Sequence, residues 1–341
     1  MTSIVADVHA RLLREAARRY GKVVQRIVHS GSFARERDAN LVPDAMHCSR
    51  ANHHIAEAID ARNPFLLSRF GRTELAICVD SIVTRRLGKN SVRERMLRTQ
   101  RVIPQISEND RRRAWQMSGI FPSGPDANDA VAKKYLSAAE SIDTLAVWNM
   151  PWEAMARQVT CPQARTVDPI VLNAFELFPP WTARLKGLRV LVVSPFARTI
   201  RAQYGKRRQI WPGSEVLPDF ELVTLEAAQT LGFETAGYPD WFAALNAMEE
   251  AMLSLAPFDV AIIGAGAYGL PLAAAAKKAG AVALHVGGVH QLYFGIRGKR
   301  WEKGVMSEDT VHYAQYFNDS WVRPEEARPS GMNGADDGFY W

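Results

Sequence analysis

Glycines and cations gather in this chain where an anion would sit. Gly264, Gly266 and Gly269 form a G-x-G-x-x-G that follows an apolar run and opens a helix near Tyr268, and a second apolar run ends at Gly287-Gly288. This is the pattern of a βαβ unit with a phosphate-sized turn. Its glycines let backbone amides approach a ligand, and its helix start offers unpaired N–H groups and a positive dipole end. A nucleotide diphosphate is the expected guest. Lys299 and Arg300 lie in a glycine-flanked loop after the last strand, Arg198 and Arg201 follow Ser194-Pro195-Phe196, and His285 and Gln291 flank the Gly287-Gly288 turn, placed to contact a sugar or base. A further locus reads Ser68-Arg69-Phe70-Gly71-Arg72-Thr73-Glu74. There Arg69 can set a delocalised cation against a phosphate, and Glu74 can act as general base or bind a divalent cation. The plainer reading of Glu74 is a carboxylate favoured by the helix dipole or paired with Arg72.

The glycine motif alone also fits an NAD(P)-dependent oxidoreductase. In that fingerprint an acidic residue about 20 positions on holds the ribose, whereas the strand from 281 to 286 carries His285 and neither Asp nor Glu. The motif also falls late in the chain, with Pro271 in the first turn of its helix. NAD is therefore not expected. His53-His54 with Glu57 lacks the H-E-x-x-H spacing of a metal site. Asp80 and Asp126 read as helix-surface and capping groups. Trp148, Trp152, Trp181 and Trp241 read as packing, and the sequence does not select any one of them as a sugar platform.

These loci need strands and helices to hold them. The pattern predicts helices over residues 3–26 and 43–61, a strand at 65–68, helices within 89–140 broken by the loop at 121–125, and a strand at 144–148. Beyond Pro179-Pro180 it alternates regularly: strand 188–193, helix 198–208, strand 220–224, helix 240–255, strand 258–263, helix 269–279, strand 281–286. Such alternation predicts an α/β fold, a Rossmann-like, mostly parallel sheet with helices on both faces. Ligands of such sheets bind beyond the carboxyl ends of the strands, in the loops after Ser68, Trp148, Val193, Thr224, Ile263 and Val286. The expected division is an N-terminal helical segment (1–62), the α/β domain (63–320) with a helical insertion at 89–140, and an ordered C-terminal strap (321–341) ending in Phe339-Tyr340-Trp341.

At 341 residues and 47% hydrophobic, the chain can bury a full core. Its 3 cysteines, with no C-x-x-C, suit a reducing cytosol and offer no structural zinc site. The N-terminus lacks the apolar run of a signal peptide, and the uncharged stretch 260–276 reads as strand, turn and helix, so any membrane contact is expected to be peripheral. The net charge is +6, and residues 1–120 hold 22 Lys and Arg against 12 Asp and Glu. That excess suits a phosphate-bearing substrate or an anionic membrane surface. No nucleic-acid module is present, and no nucleic-acid partner is expected.

Several patches together resemble the GT-D fold glycosyltransferases and their relatives in bacterial surface-polysaccharide clusters. They are FLLSRFGRTEL, SGIFPSGP, IDTLAVW, VLVVSPFARTIRAQYGKRRQIW, LPDFELVTLEAAQT, DWFAALNAM and the unit 258–301 with its Phe294-Gly295-Ile296-x-Gly298-Lys299-Arg300-Trp301 ending. The resemblance implies a sugar-nucleotide-dependent transferase with a growing glycan or lipid-linked acceptor, cytoplasmic and in contact with the inner membrane surface at most. Family members carry an Asp-x-Glu pair with a divalent metal near the diphosphate. Here Arg72 stands at the Asp position and Glu74 remains. Mg²⁺ or Mn²⁺ is then expected only where donor phosphates and water complete the coordination shell, and Arg72 can replace the metal's charge. A noncatalytic sugar-nucleotide-binding protein is the third reading.

Overall fold

The computed structural model describes residues 36–37, 39, 41, 45–99, 103–303, 313–332 and 340–341. The N-terminal helix expected at 3–26, and Phe339, lie outside them.

Seven parallel strands form one sheet in the order β3-β2-β1-β7-β6-β4-β5. They are β1 (Phe65–Arg69), β2 (Thr144–Ala146), β3 (Arg165–Val167), β4 (Arg189–Ser194), β5 (Glu221–Glu226), β6 (Val260–Ile263) and β7 (Val282–His285). The helices are α1 (Cys48–Ala61), α2 (Arg72–Leu87), α3 (Val92–Thr99), α4 (Glu108–Ser118), α5 (Pro125–Ala139), α6 (Glu153–Thr160), α7 (Ala197–Tyr204), α8 (Arg207–Ile210), α9 (Trp241–Ser254), α10 (Gly269–Lys278), α11 (His290–Tyr293) and α12 (Lys299–Lys303). The α/β class read from the alternation is thus the observed one, and the sheet is parallel throughout.

The central strands are buried and largely apolar because helices cover both sides. Leu66, Leu191, Val193, Ala261 and Ile263 pack under α2, α5, α6, α9 and α10. Leu67, Val190, Val192, Val260, Ile262 and Leu284 pack against α1, α7, α8 and α11. Each fully buried Val, Leu or Ile among them contributes about 1.5–3 kcal/mol. At the carboxyl ends the chain leaves β1 and β6 toward the first layer and β7 and β4 toward the second. Neighbouring strands therefore part in opposite directions, which opens crevices between β1 and β7, between β7 and β6 and between β6 and β4.

Three boundaries and one strand differ from the sequence reading. The strand expected at 144–148 ends at Ala146, because the N–H groups of Trp148 and Met150 turn to the Glu153 carboxylate instead of a neighbouring strand. The helix expected from 43 begins at Cys48, since Met46 pairs with Val167 of β3. The helix expected over 198–208 is two, separated at Gly205-Lys206. Strand β3, three residues long, has too few positions to show a period.

The described part of the C-terminal strap is tied down. Val322 pairs with Ile296, and the Trp341 indole donates to the Glu326 carbonyl at 2.9 Å. Among the described residues no helix is long and apolar enough to cross a membrane.

Candidate functional site

The site forms where β1, β2 and β7 end. Arg69 closes β1, and its guanidinium lies directly over Gly287 of the turn after β7. A Cβ on Gly287 would meet Arg69 Nη2 at 2.5 Å, and the backbone there has φ +69; both facts demand glycine. Arg69 also stands 5.9 Å from the centre of the Trp148 ring.

Glu74 is the third residue of α2, and Gly71 is its N-cap. In a capping box a Glu at this position reaches back over the N-cap. Here the carboxylate fills the room that a Gly71 side chain would take, 1.9 Å from where that Cβ would be, with Arg69 Nη1 3.3 Å from the same point. The Gly71-x-x-Glu74 spacing thus brings a buried carboxylate beside the Arg69 cation. Burial, and secondarily the charge of Glu74, push the Tyr135 phenol and the Cys78 thiol up. Arg72 is exposed at the start of α2.

His285 at the end of β7 is buried, its Nδ1 2.9 Å from Ser68 Oγ. Burial and then the Arg69 charge hold its pKa well below the usual imidazole value, so it is neutral at neutral pH. It lies within the floor of the site, and its ring fills the space beside Gly269, where a Cβ would be 2.4 Å from Nε2.

Sequence reasoning missed Glu153. This fully buried residue opens α6, and its Oε2 accepts from the N–H groups of Trp148 (3.0 Å) and Met150 (3.1 Å). Its Oε1 is buried with no hydrogen-bond partner. Burial pushes the carboxyl up to about 7, against the opposing pull of the backbone N–H groups and of Arg69. The loop it ties is held at a second point, where Asn149 Oδ1 accepts from Leu41 N–H at 2.8 Å, and Asn149 and Trp152 hold φ of 53 and 73. The available signal was one acid closing the run Trp148-Asn149-Met150-Pro151-Trp152-Glu153 beyond a strand's carboxyl end.

Two of the three fingerprint glycines, Gly264 and Gly269, face the protein's own side chains. A Cβ on Gly264 would lie 2.0 Å from His290 Nδ1, and one on Gly288 would lie 2.4 Å from the Tyr340 ring. Gly266 is exposed with φ +53. Tyr268 points into the core, stacked on Trp241 at 5.2 Å and bonded to Thr230 at 2.9 Å. His290 reaches from the turn after β7 across the end of β6 to β4, with Nδ1 2.7 Å from the Gly287 carbonyl and Nε2 2.7 Å from Ser194 Oγ. Burial lowers its pKa to about 4. The neutral tautomer with the proton on Nδ1 satisfies both contacts.

The remaining predicted residues divide into two groups. Gln291 is buried, donating to Ile296 and Tyr340 carbonyls at 3.1 and 3.4 Å. Arg300 donates to the Tyr340 hydroxyl at 3.3 Å, and the backbone N–H of Lys299 donates to the Trp341 carbonyl at 3.1 Å. Through Tyr340, Arg300 borders Gly288. Arg198 and Arg201 are not brought to this cluster: the start of α7 is capped by Glu326, which accepts from the N–H groups of Arg198 and Thr199 at 3.0 Å, and Arg201 bonds Thr224 of β5. A cavity of about 510 Å³ opens elsewhere, between Arg98, Pro104, Gln105 and Trp152. Its Arg98 is already engaged by Asp80 at 2.6 Å and Glu94 at 2.9 Å. Among the described residues no three His, Cys, Asp or Glu side chains converge as a metal site.

Fold and site together define a Rossmann-like α/β protein with a cation and a buried carboxylate at the β1/β7 crevice. Comparison of the chain with family models, curated proteins and solved structures found no match.

Proposed function

We propose that the chain is a glycosyltransferase that moves a sugar from a nucleotide-diphosphate donor to a growing glycan or lipid-linked acceptor. The observation that carries this reading is the Arg69 guanidinium, set over Gly287 with the Glu74 carboxylate beside it, in the crevice where parallel sheets take ligands. Transfer breaks the bond between the anomeric carbon and a phosphate oxygen, which keeps the electron pair. A fixed cation there stabilises the departing diphosphate, and Arg69 supplies it, with Arg72, Lys299 and Arg300 bordering. The acceptor hydroxyl forms the new bond and yields its proton to Glu74. Glu74 alone offers a divalent cation one carboxylate, so the donor phosphates and water would supply the remaining ligands, and no step here depends on a metal. The acceptor class places the protein on the cytoplasmic side of a membrane, where the basic excess of residues 1–120 suits an anionic surface.

Glu74→Gln tests the reading. Turnover of the best nucleotide sugar is expected to fall about 100-fold or more while the melting temperature holds. Undiminished turnover would remove Glu74 from the chemistry.

A further inference from the structure

We propose that Trp148 is the stacking platform for the heterocyclic base of a nucleoside diphosphate whose phosphates lie at Arg69. The inference rests on the transferase reading of the site and adds the position of the donor's base.

Four tryptophans are candidates by sequence, and burial separates them. Trp181 and Trp241 are fully buried and Trp152 is 7% exposed, whereas Trp148 is 46% exposed. Its exposure is held in place. The Trp148 N–H is bound by the buried Glu153 carboxyl, the next residue occupies left-handed backbone, and Asn149 anchors the loop to Leu41. A surface indole on a loop anchored by these hydrogen bonds at the carboxyl edge of a parallel sheet suits a ring ligand, since anchoring lowers the ordering cost of binding.

Arg69 selects the ligand class. It sits 5.9 Å from the Trp148 ring centre and against Gly287, so an anion on the guanidinium and a ring on the indole fall within the span of one nucleotide. The cation draws on the negative face of the indole. That weakens attraction for the polarised C–H bonds of a sugar ring, while stacking of a base, which rests on dispersion and overlap, is retained. Stacking of this kind tolerates different bases, so base identity is set by other contacts.

Titration calorimetry of UDP, GDP, ADP and dTDP, with inorganic pyrophosphate as the probe of the phosphate locus alone, tests the proposal on the wild-type chain, Trp148→Ala and Trp148→Phe. Trp148 is exposed, so both variants should keep the wild-type melting temperature. For the diphosphate that binds best, Trp148→Ala should weaken affinity about 5- to 150-fold, equivalent to about 1–3 kcal/mol. Trp148→Phe should restore most of it, and pyrophosphate should bind all three proteins alike. Unchanged nucleotide affinity in Trp148→Ala would overturn the platform while leaving the transferase reading intact. Equal losses for nucleotide and pyrophosphate would also overturn it, since the tryptophan would then act only by placing Arg69. If the wild-type chain binds no nucleoside diphosphate, the transferase reading fails and the platform with it.

Discussion

Replacing Glu153 by glutamine should make the protein more stable at pH 8 relative to wild type than it does at pH 4.5. Burial lifts the Glu153 carboxyl from 4.5 to about 7. A raised carboxyl favours folding fully below its unfolded value, and that contribution is lost as pH rises through the folded value. At about 1.4 kcal/mol per pKa unit, the loss across this window approaches about 3 kcal/mol. Glutamine keeps an oxygen for the Trp148 and Met150 N–H groups and carries no charge to desolvate. Its amide adds a cost at the unpartnered Oε1 position, and that cost is the same at every pH. The pH-dependent difference between variant and wild type therefore isolates Glu153, even though buried histidines titrate in the same range. With an unfolding entropy of about 2.1 cal/mol/K per residue, about 3 kcal/mol corresponds to about 4–5 °C in melting temperature for a chain of this length. The assay is differential scanning calorimetry of both proteins at pH 4.5, 6 and 8. If the difference in melting temperature is the same at all three values, Glu153 is not the buried, uncompensated acid described above.

Other substitutions probe the surrounding geometry. Gly264→Ala should cost about 3 kcal/mol by denaturant unfolding, because its methyl meets both His290 and the Gly287 carbonyl. Glu326→Ala should cost about 1–3 kcal/mol in the same assay, because the Arg198 and Thr199 N–H groups at the start of α7 lose their acceptor. His290, held near 4, stabilises the fold above its unfolded value, and this is lost as pH falls from 6.5 through 4. In the Glu153→Gln background, where Glu153 no longer offsets that loss, unfolding free energy should drop by about 3 kcal/mol over that window.

The fold was legible where the chain repeats itself. Continuous apolar runs at 190–193 and 260–263, separated by amphipathic stretches, announce buried parallel strands, and the glycines at 264–269 mark the turn into α10. Half of the site was legible for the same reason: Arg69 and Glu74 directly follow a strand, where the Gly71 N-cap forces their approach. The other half depends on contacts between distant segments. Nothing local to Gly264, Gly287 or Gly288 reveals that His290, Arg69 and Tyr340 lie against them, so small residues that make room for internal side chains read as room for a ligand. Glu153 was hidden because its importance comes from being buried beneath its own loop, and the tryptophans because only folding decides which of them faces water.

The most direct test of the account is the affinity of one nucleoside diphosphate for the wild-type chain and for Arg69→Gln, measured by calorimetry in the same buffer. Loss of a charge-assisted contact to phosphate is expected to cost about 1.5–3 kcal/mol, or about 10- to 150-fold in dissociation constant, with Gly266→Ala and Arg201→Gln binding as wild type. Retention of full affinity by Arg69→Gln would contradict the account, and loss of affinity in Gly266→Ala instead would return the diphosphate to the glycine loop between β6 and β7.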